Sequence, residues 1–266
     1  MFKINFELQR LDMIQPWGGE GHYSLHWFGI TDGLLWITVG DKTIYEYNDF
    51  AREYFTDSPK YNDYQLARFI EDFSLTFEYI SEPIPRFLYD AVEKYEEMTE
   101  NYWDSVIGDT DEWDKDTDEF FDSVYVPLTE WFGDRRFDSG HLVAGPLIGC
   151  FRCGENIKIL WKSSSLENGQ DIWTYPNGCC EMPYSKFSES VRIFFDDFFK
   201  QMDIQTRCAS ERDWGEITVD KEELARTSEK MKDTYLKRLE NLFKTKRKTD
   251  WKKIDLLYRQ MIQKAD

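Results

Sequence analysis

Asp63, Arg68, Glu71 and Asp72 are the residues of this chain whose types and spacing come closest to chemistry. On a helix, Arg68 meets Asp72 at i,i+4 and Glu71 at i,i+3, so one guanidinium and two carboxylates can share a face. Such a group could hold a polar substrate or serve a hydrolase-like reaction. Its commoner use is a surface ion-pair cluster, worth about 0.3–0.5 kcal/mol per exposed pair. Asp32 is a further candidate acid. An Asp-Gly step such as Asp32-Gly33, between two apolar runs, is more commonly a turn, in which Asp bonds its own backbone and Gly supplies positive φ. His22, His26 and His141 assemble into no triad, and no Gly-x-Ser-x-Gly elbow occurs. His26, inside an apolar run, reads as a core residue. Gly18-Gly19-Glu20-Gly21 lacks the Lys and the helix of a phosphate loop. These residues name no reaction, so no catalytic residue is assigned beyond the candidates Asp32, Asp63, Arg68, Glu71 and Asp72.

The five cysteines point away from metal. Cys150-x-x-Cys153 is followed by the adjacent pair Cys179-Cys180, with Cys208 alone. Adjacent cysteines mismatch the paired spacing of zinc ribbons, and no His lies near them. An odd number in a long chain is no disulfide framework. The expectation is free thiols on strands, no metal and no cofactor.

Residues 104–122 form an acidic run that contains Asp109, Asp111, Glu112, Trp113, Asp114, Asp116 and Asp118, opposed only by Lys115. A calcium loop read from Asp109 has Asp114 where Gly is needed and Phe120 in place of the twelfth-position Glu. What remains is a solvated loop or a docking surface. Trp113, Phe120 and Phe121 favour docking, since aromatic side chains amid charge act as anchors.

The whole chain carries 51 Asp and Glu against 33 Lys and Arg, a formal charge of −18. Residues 221–266 hold 14 basic and 8 acidic side chains, and residues 1–220 hold 19 and 43. An acidic body of −24 thus ends in a basic tail of +6. This field disfavours nucleic acid and anionic membrane and favours a basic protein partner. For Lys244, Lys246, Arg247, Lys248, Lys252 and Lys253, contact with the acidic body or a second copy competes with nucleic-acid binding. The sequence sets no oligomeric state.

The elements that must position these residues follow from periodicity. Ile4, Phe6 and Leu8 alternate as a strand, and runs at 23–28, 34–39 and 43–47 continue an antiparallel sheet. The spacing of Tyr64, Ala67, Ile70, Phe73 and Phe77 predicts a helix over 62–80. Pro85 opens another helix. A second hairpin, 147–151 with 157–161, turns at Gly154 and is extended by 171–175. Phe187, Val191, Phe194, Phe195, Phe198 and Met202 form one helical stripe. Asp220 with Glu223 caps the next helix, and Thr249 or Asp250 caps the last. Strands first and helices later argue an α+β class. The expected fold is antiparallel sheet from two hairpin segments with helices packed on it. The expected organisation is one α+β domain over 1–266, with 220–266 a basic helical hairpin. Aromatic residues at 17% supply ample core. No stretch approaches the roughly 20 apolar residues of a membrane span. The alternating N-terminus is unlike a signal peptide, so a cytoplasmic location is expected.

Three stretches together carry a resemblance. They are Leu25-His26-Trp27-Phe28-Gly29-Ile30-Thr31-Asp32-Gly33, then Asp63-Tyr64-Gln65-Leu66-Ala67-Arg68-Phe69-Ile70-Glu71-Asp72, then Phe137-Asp138-Ser139-Gly140-His141-Leu142-Val143-Ala144-Gly145-Pro146. With the hairpin ending at Trp161 and the late Asp250-Trp251, they resemble the bacterial domain-of-unknown-function family 5984 over nearly the whole chain. The resemblance implies one domain and brings no activity, so it transfers no catalytic residue. The chain departs from that family's pattern at Cys150, Cys153 and His141.

Two functions compete at this point. One is an acidic binding protein, an immunity protein or antitoxin that neutralises a basic toxin domain. The other is an uncharacterised hydrolase-like enzyme using the Asp63/Arg68/Glu71/Asp72 group with His26 or Asp32. A pocket joining those side chains would favour the enzyme, and an acidic face without one would favour the binder.

Overall fold

The computed structural model describes the chain except Glu20, Gly21, Thr56, Asp57, residues 105–113, Asp138, Asp266 and the side chains of Glu96 and Ala265. It is α+β, with antiparallel sheets and packed helices. Among the described residues the strands form two four-stranded sheets.

The first sheet joins β1 (Phe2–Leu8), β2 (Asp32–Val39), β3 (Lys42–Ile44) and β4 (Asn62–Gln65). β2 is its centre, pairing with each of the others. Phe2, Ile4, Leu35, Ile37 and Val39 alternate onto the inner face, where α7 (Tyr184–Glu211) lies across them. The expected aromatic stripe of α7 is buried throughout, from Phe187 to Met202. Phe6 meets Phe194 and Phe198 edge-on at 5.6 and 5.7 Å. After the short helix α1 (Asp49–Tyr54), the helix predicted over 62–80 starts only at Leu66, as α2 (Leu66–Leu75), and continues after Thr76 as α3 (Phe77–Ile80). Asn62–Gln65 instead pair with Asp32–Leu35, because that edge of β2 would otherwise leave its backbone groups unpaired. The strand predicted at 23–28 is also absent. Leu25 and Trp27 are buried, but only Ser24 makes bridges, to Trp17 and Thr218. Alternation there is met by a loop wedged into the core, and His26 is exposed rather than buried.

The second sheet runs β5 (Arg136–Phe137), β6 (Leu147–Cys153), β7 (Asn156–Lys162) and β8 (Asn177–Pro183). Gly154, at φ +58°, makes the expected turn. The segment 171–175 does not extend this sheet. Trp173 bridges to Tyr47, stacks on its ring at 4.5 Å and donates its indole N–H to the Ala144 carbonyl. An aromatic contact with the segment that follows β3 has thus outcompeted the ladder. Gly178 is required where β8 crosses Trp161, since a Cβ there would lie 2.2 Å from the indole.

The central strands of sheet two, β6 and β7, bury side chains on both faces and divide two cores. Ile148, Cys150, Ile157, Ile159 and Trp161 join the first core with sheet one, α2 and α7. Phe151 faces a second core built by α4 (Arg86–Tyr102), α6 (Val126–Gly133) and α9 (Trp251–Ala265). The period-two alternation of strands therefore separates Cys150 from Cys153, and Cys179 from Cys180, onto opposite faces. All five cysteines are free thiols, and burial pushes the Cys150 thiol well up. Consecutive helices at the C-terminus also part. α8 (Lys221–Leu242), capped by Asp220 as expected, packs on α7, α3 and α2, whereas α9 packs on α4 and α6.

Candidate functional site

The four residues that looked most chemical fall in two places. Asp63 lies on β4, not on a helix, and projects from the outer face of sheet one. Strand pairing brings it near Asp32, which sits opposite Gln65 and accepts a 2.6 Å hydrogen bond from its Nε2. Partial burial holds the Asp32 carboxyl above its ordinary value. Gln65 opposes that shift and the Asp63 charge adds to it. Desolvation raises Asp63 as well. Tyr47 is pushed up to about 12, by burial first and then by Asp63. A carboxyl whose folded-state pKa is raised costs stability when ionised, and that cost vanishes as pH falls below the ordinary 3.8. Asp32→Asn keeps an acceptor for Gln65. It should raise the melting temperature at about pH 7 and lose the advantage by about pH 3. A gain equal at both pH values would remove charge as its cause.

Arg68 and Asp72 do pair on α2, at 2.9 Å. Glu71 is not bonded to Arg68 in this arrangement; with Asp72 it acts instead on Tyr235 of α8, which burial pushes up to about 12. Arg68 and Asp72 line an open cleft of about 840 Å³ with Ser74, Glu78, Asp134 and Arg238. Arg238 donates to the Ser74 hydroxyl at 3.2 Å. Asp32, Asp63 and His26 line no part of this cleft. His26 is 3.3 Å from the Ser24 hydroxyl, and His141 packs on the Tyr64 ring at 4.6 Å.

Of the acidic run, Asp109, Asp111, Glu112 and Trp113 lie outside the described residues. Asp114 caps α5 (Lys115–Phe120) by accepting from the Thr117 amide at 2.8 Å, which holds its carboxyl below the usual range. Asp116, Asp118, Glu119 and Asp122 are exposed. A π-helical turn, Phe121–Tyr125, follows α5 directly. It sets Phe121 and Tyr125 face to face at 5.2 Å, with Trp103 from the end of α4 within 6.4 Å of both. Trp103 is 42% exposed. The geometry is an aromatic cluster at the surface, edged by carboxylates.

Sequence reasoning missed a buried ion pair. Glu82 accepts from Arg135 Nη2 at 3.0 Å, and from the Thr249 amide and hydroxyl at 2.6 Å each. Arg135 is fully buried, lies over the Trp131 ring at 4.7 Å and donates to the Trp131 carbonyl. Burial lowers its pKa to about 10 against the pull of Glu82, so it stays charged at neutral pH. No local spacing marks partners 53 positions apart. Two residues before Thr249, Arg247 stacks on Tyr79 at 4.1 Å and reaches Glu78 and Asp134 at 3.8 and 3.6 Å. Part of the basic tail is thus spent on the acidic body.

The profile of DUF5984, a family of unknown function, matches residues 3–257. The chain belongs to DUF5984. The match spans both sheets, both cores and the start of α9, so the acidic run and the buried pair lie inside it. No curated protein and no solved structure matches the chain.

Proposed function

We propose that this DUF5984 protein is a cytoplasmic acidic binding protein, an immunity protein or antitoxin that covers a basic toxin domain. The observation that carries the reading is the cluster of Trp103, Phe121 and Tyr125 set among Asp114, Asp116, Asp118, Glu119 and Asp122. Half-exposed aromatics supply the anchors that hold a partner, and the surrounding carboxylates supply the field that attracts it. The charge of −24 over residues 1–220 acts in the same direction. The separation of Asp32 and Asp63 from Arg68 and Asp72 speaks against one assembled catalytic centre.

The test uses basic nuclease-type toxin domains as partners. Replacing Asp109, Asp111, Asp114, Asp116 and Asp118 with Asn should slow association about tenfold or more and change dissociation far less. Trp103→Ala should act mainly on dissociation. The wild-type association rate should fall steeply with salt, because attraction is screened beyond about 8 Å at physiological ionic strength. Association indifferent both to salt and to the five substitutions would sink the reading. The hydrolase-like alternative rests on the cleft that Arg68 and Asp72 line. A turnover lost in Arg68→Ala with the fold intact would decide for it.

A further inference from the structure

The outer face of sheet one, opposite the face on which α7 lies, carries a different set of residues. Its rows follow from register. Asn5 and Trp36 lie side by side, and in the next row Leu34 stands between Glu7 and Asp63. Asp32 beside Gln65 forms the row after that. Cross-strand neighbours sit about 4.5–5.5 Å apart and diagonal ones about 7–8 Å. Glu7, Asp32 and Asp63 therefore surround Leu34 at the foot of Trp36. Trp36 stacks on Tyr61 at 4.3 Å, nearly parallel. Among the described residues the contacts of these side chains include Asn5 to Thr38, Gln65 to Asp32 and Trp36 to Tyr61.

Three features give this face a preference. Tyr61, one ring of its aromatic pair, already takes a cation, since the chain's own Lys60 ammonium lies 5.0 Å from it. Lys60 is paired with Glu46, at 3.4 Å. By contrast, Glu7, Asp32 and Asp63 form no ion pair among the described residues. Asp32 and Asp63 also repel one another, and a cation placed between them would relieve that cost. A planar, weakly hydrated guanidinium suits a stacked, half-buried site better than an ammonium does.

We propose that the outer face of sheet one binds an arginine side chain of a basic protein partner, stacked on Trp36 and paired with Asp32, Asp63 and Glu7. The proposal rests on the reading of an acidic binder for its partner being a protein, and it places a second contact surface away from the acidic run. The probe is a labelled glycine–arginine repeat peptide, titrated against the full chain, beside the same peptide with citrulline in place of arginine. The arginine peptide should bind and shift the Trp36 indole N–H resonance, identified by its loss in Trp36→Leu. The citrulline peptide should not. Trp36→Leu and the double variant Asp32→Asn with Asp63→Asn should each weaken binding about tenfold. Asp116→Asn with Asp118→Asn should leave it within about twofold. Circular dichroism and melting curves establish that each variant is folded. Binding that ignores Trp36 and the Asp pair but falls in the Asp116/Asp118 variant would overturn the proposal, as would no binding of the arginine peptide. A toxin domain that depends on Trp36 but not on the five aspartates would remove the acidic-run reading and keep this one.

Discussion

Glu82→Ala should cost about 3–5 kcal/mol of folding stability. The carboxylate is nearly dry and has three donors: the Arg135 guanidinium, the Thr249 amide and the Thr249 hydroxyl. Removing it leaves a buried guanidinium in contact with a carbonyl and two indole faces, with the Asp134 charge still acting on it but no ion pair between them among the described residues. It also frees Thr249, two residues ahead of α9, the helix that closes the second core. The loss should therefore appear in urea melts and as faster amide exchange along α9. The companion variant replaces both partners, Glu82→Met with Arg135→Leu. It should recover much of the loss, because the expensive species is the unpaired buried charge rather than the missing bond. A loss below about 1 kcal/mol in Glu82→Ala would mean that water reaches Arg135.

Phe194→Ala should cost a similar amount, about 3–5 kcal/mol, by a different mechanism. The Phe194 ring is 2% exposed and meets Phe6 of β1, Phe69 of α2 and both Phe195 and Phe198 of its own helix, at centroid distances between 5.6 and 6.2 Å. Its removal takes away buried apolar area and leaves a cavity that three elements would have to collapse together to fill. Phe194→Leu, which keeps most of the volume, should cost clearly less. Denaturant melts that show less than 1 kcal/mol for the alanine variant would take Phe194 out of the core. Glu82 and Phe194 serve different cores and share no partner, so their losses should add within about 0.5 kcal/mol.

Properties encoded over a few residues were legible in the chain before folding. The stripe from Phe187 to Met202 specifies a helix and its buried face, because 3.6-residue spacing leaves no other way to cover that many rings. The hairpin about Gly154, the Asp220 cap and the Arg68–Asp72 pair are likewise short-range. Period two alone separates the neighbouring cysteines. Tertiary structure decided the rest, wherever one segment had two satisfactory local states. Residues 62–65 have helical spacing, yet the unpaired edge of β2 draws them into a strand, and that pairing moves Asp63 from Arg68 to Asp32. Residues 23–28 alternate, but no free edge takes them. Trp173 leaves the second sheet for Tyr47 because a stacked ring and an indole hydrogen bond are available there. Glu82, Arg135 and Thr249 carry no local signal, since a buried charge can choose a partner only after the elements around it have closed. The same closure sends α8 to one core and α9 to the other: each amphipathic helix needs an apolar surface, and only the assembled sheets determine where that surface lies.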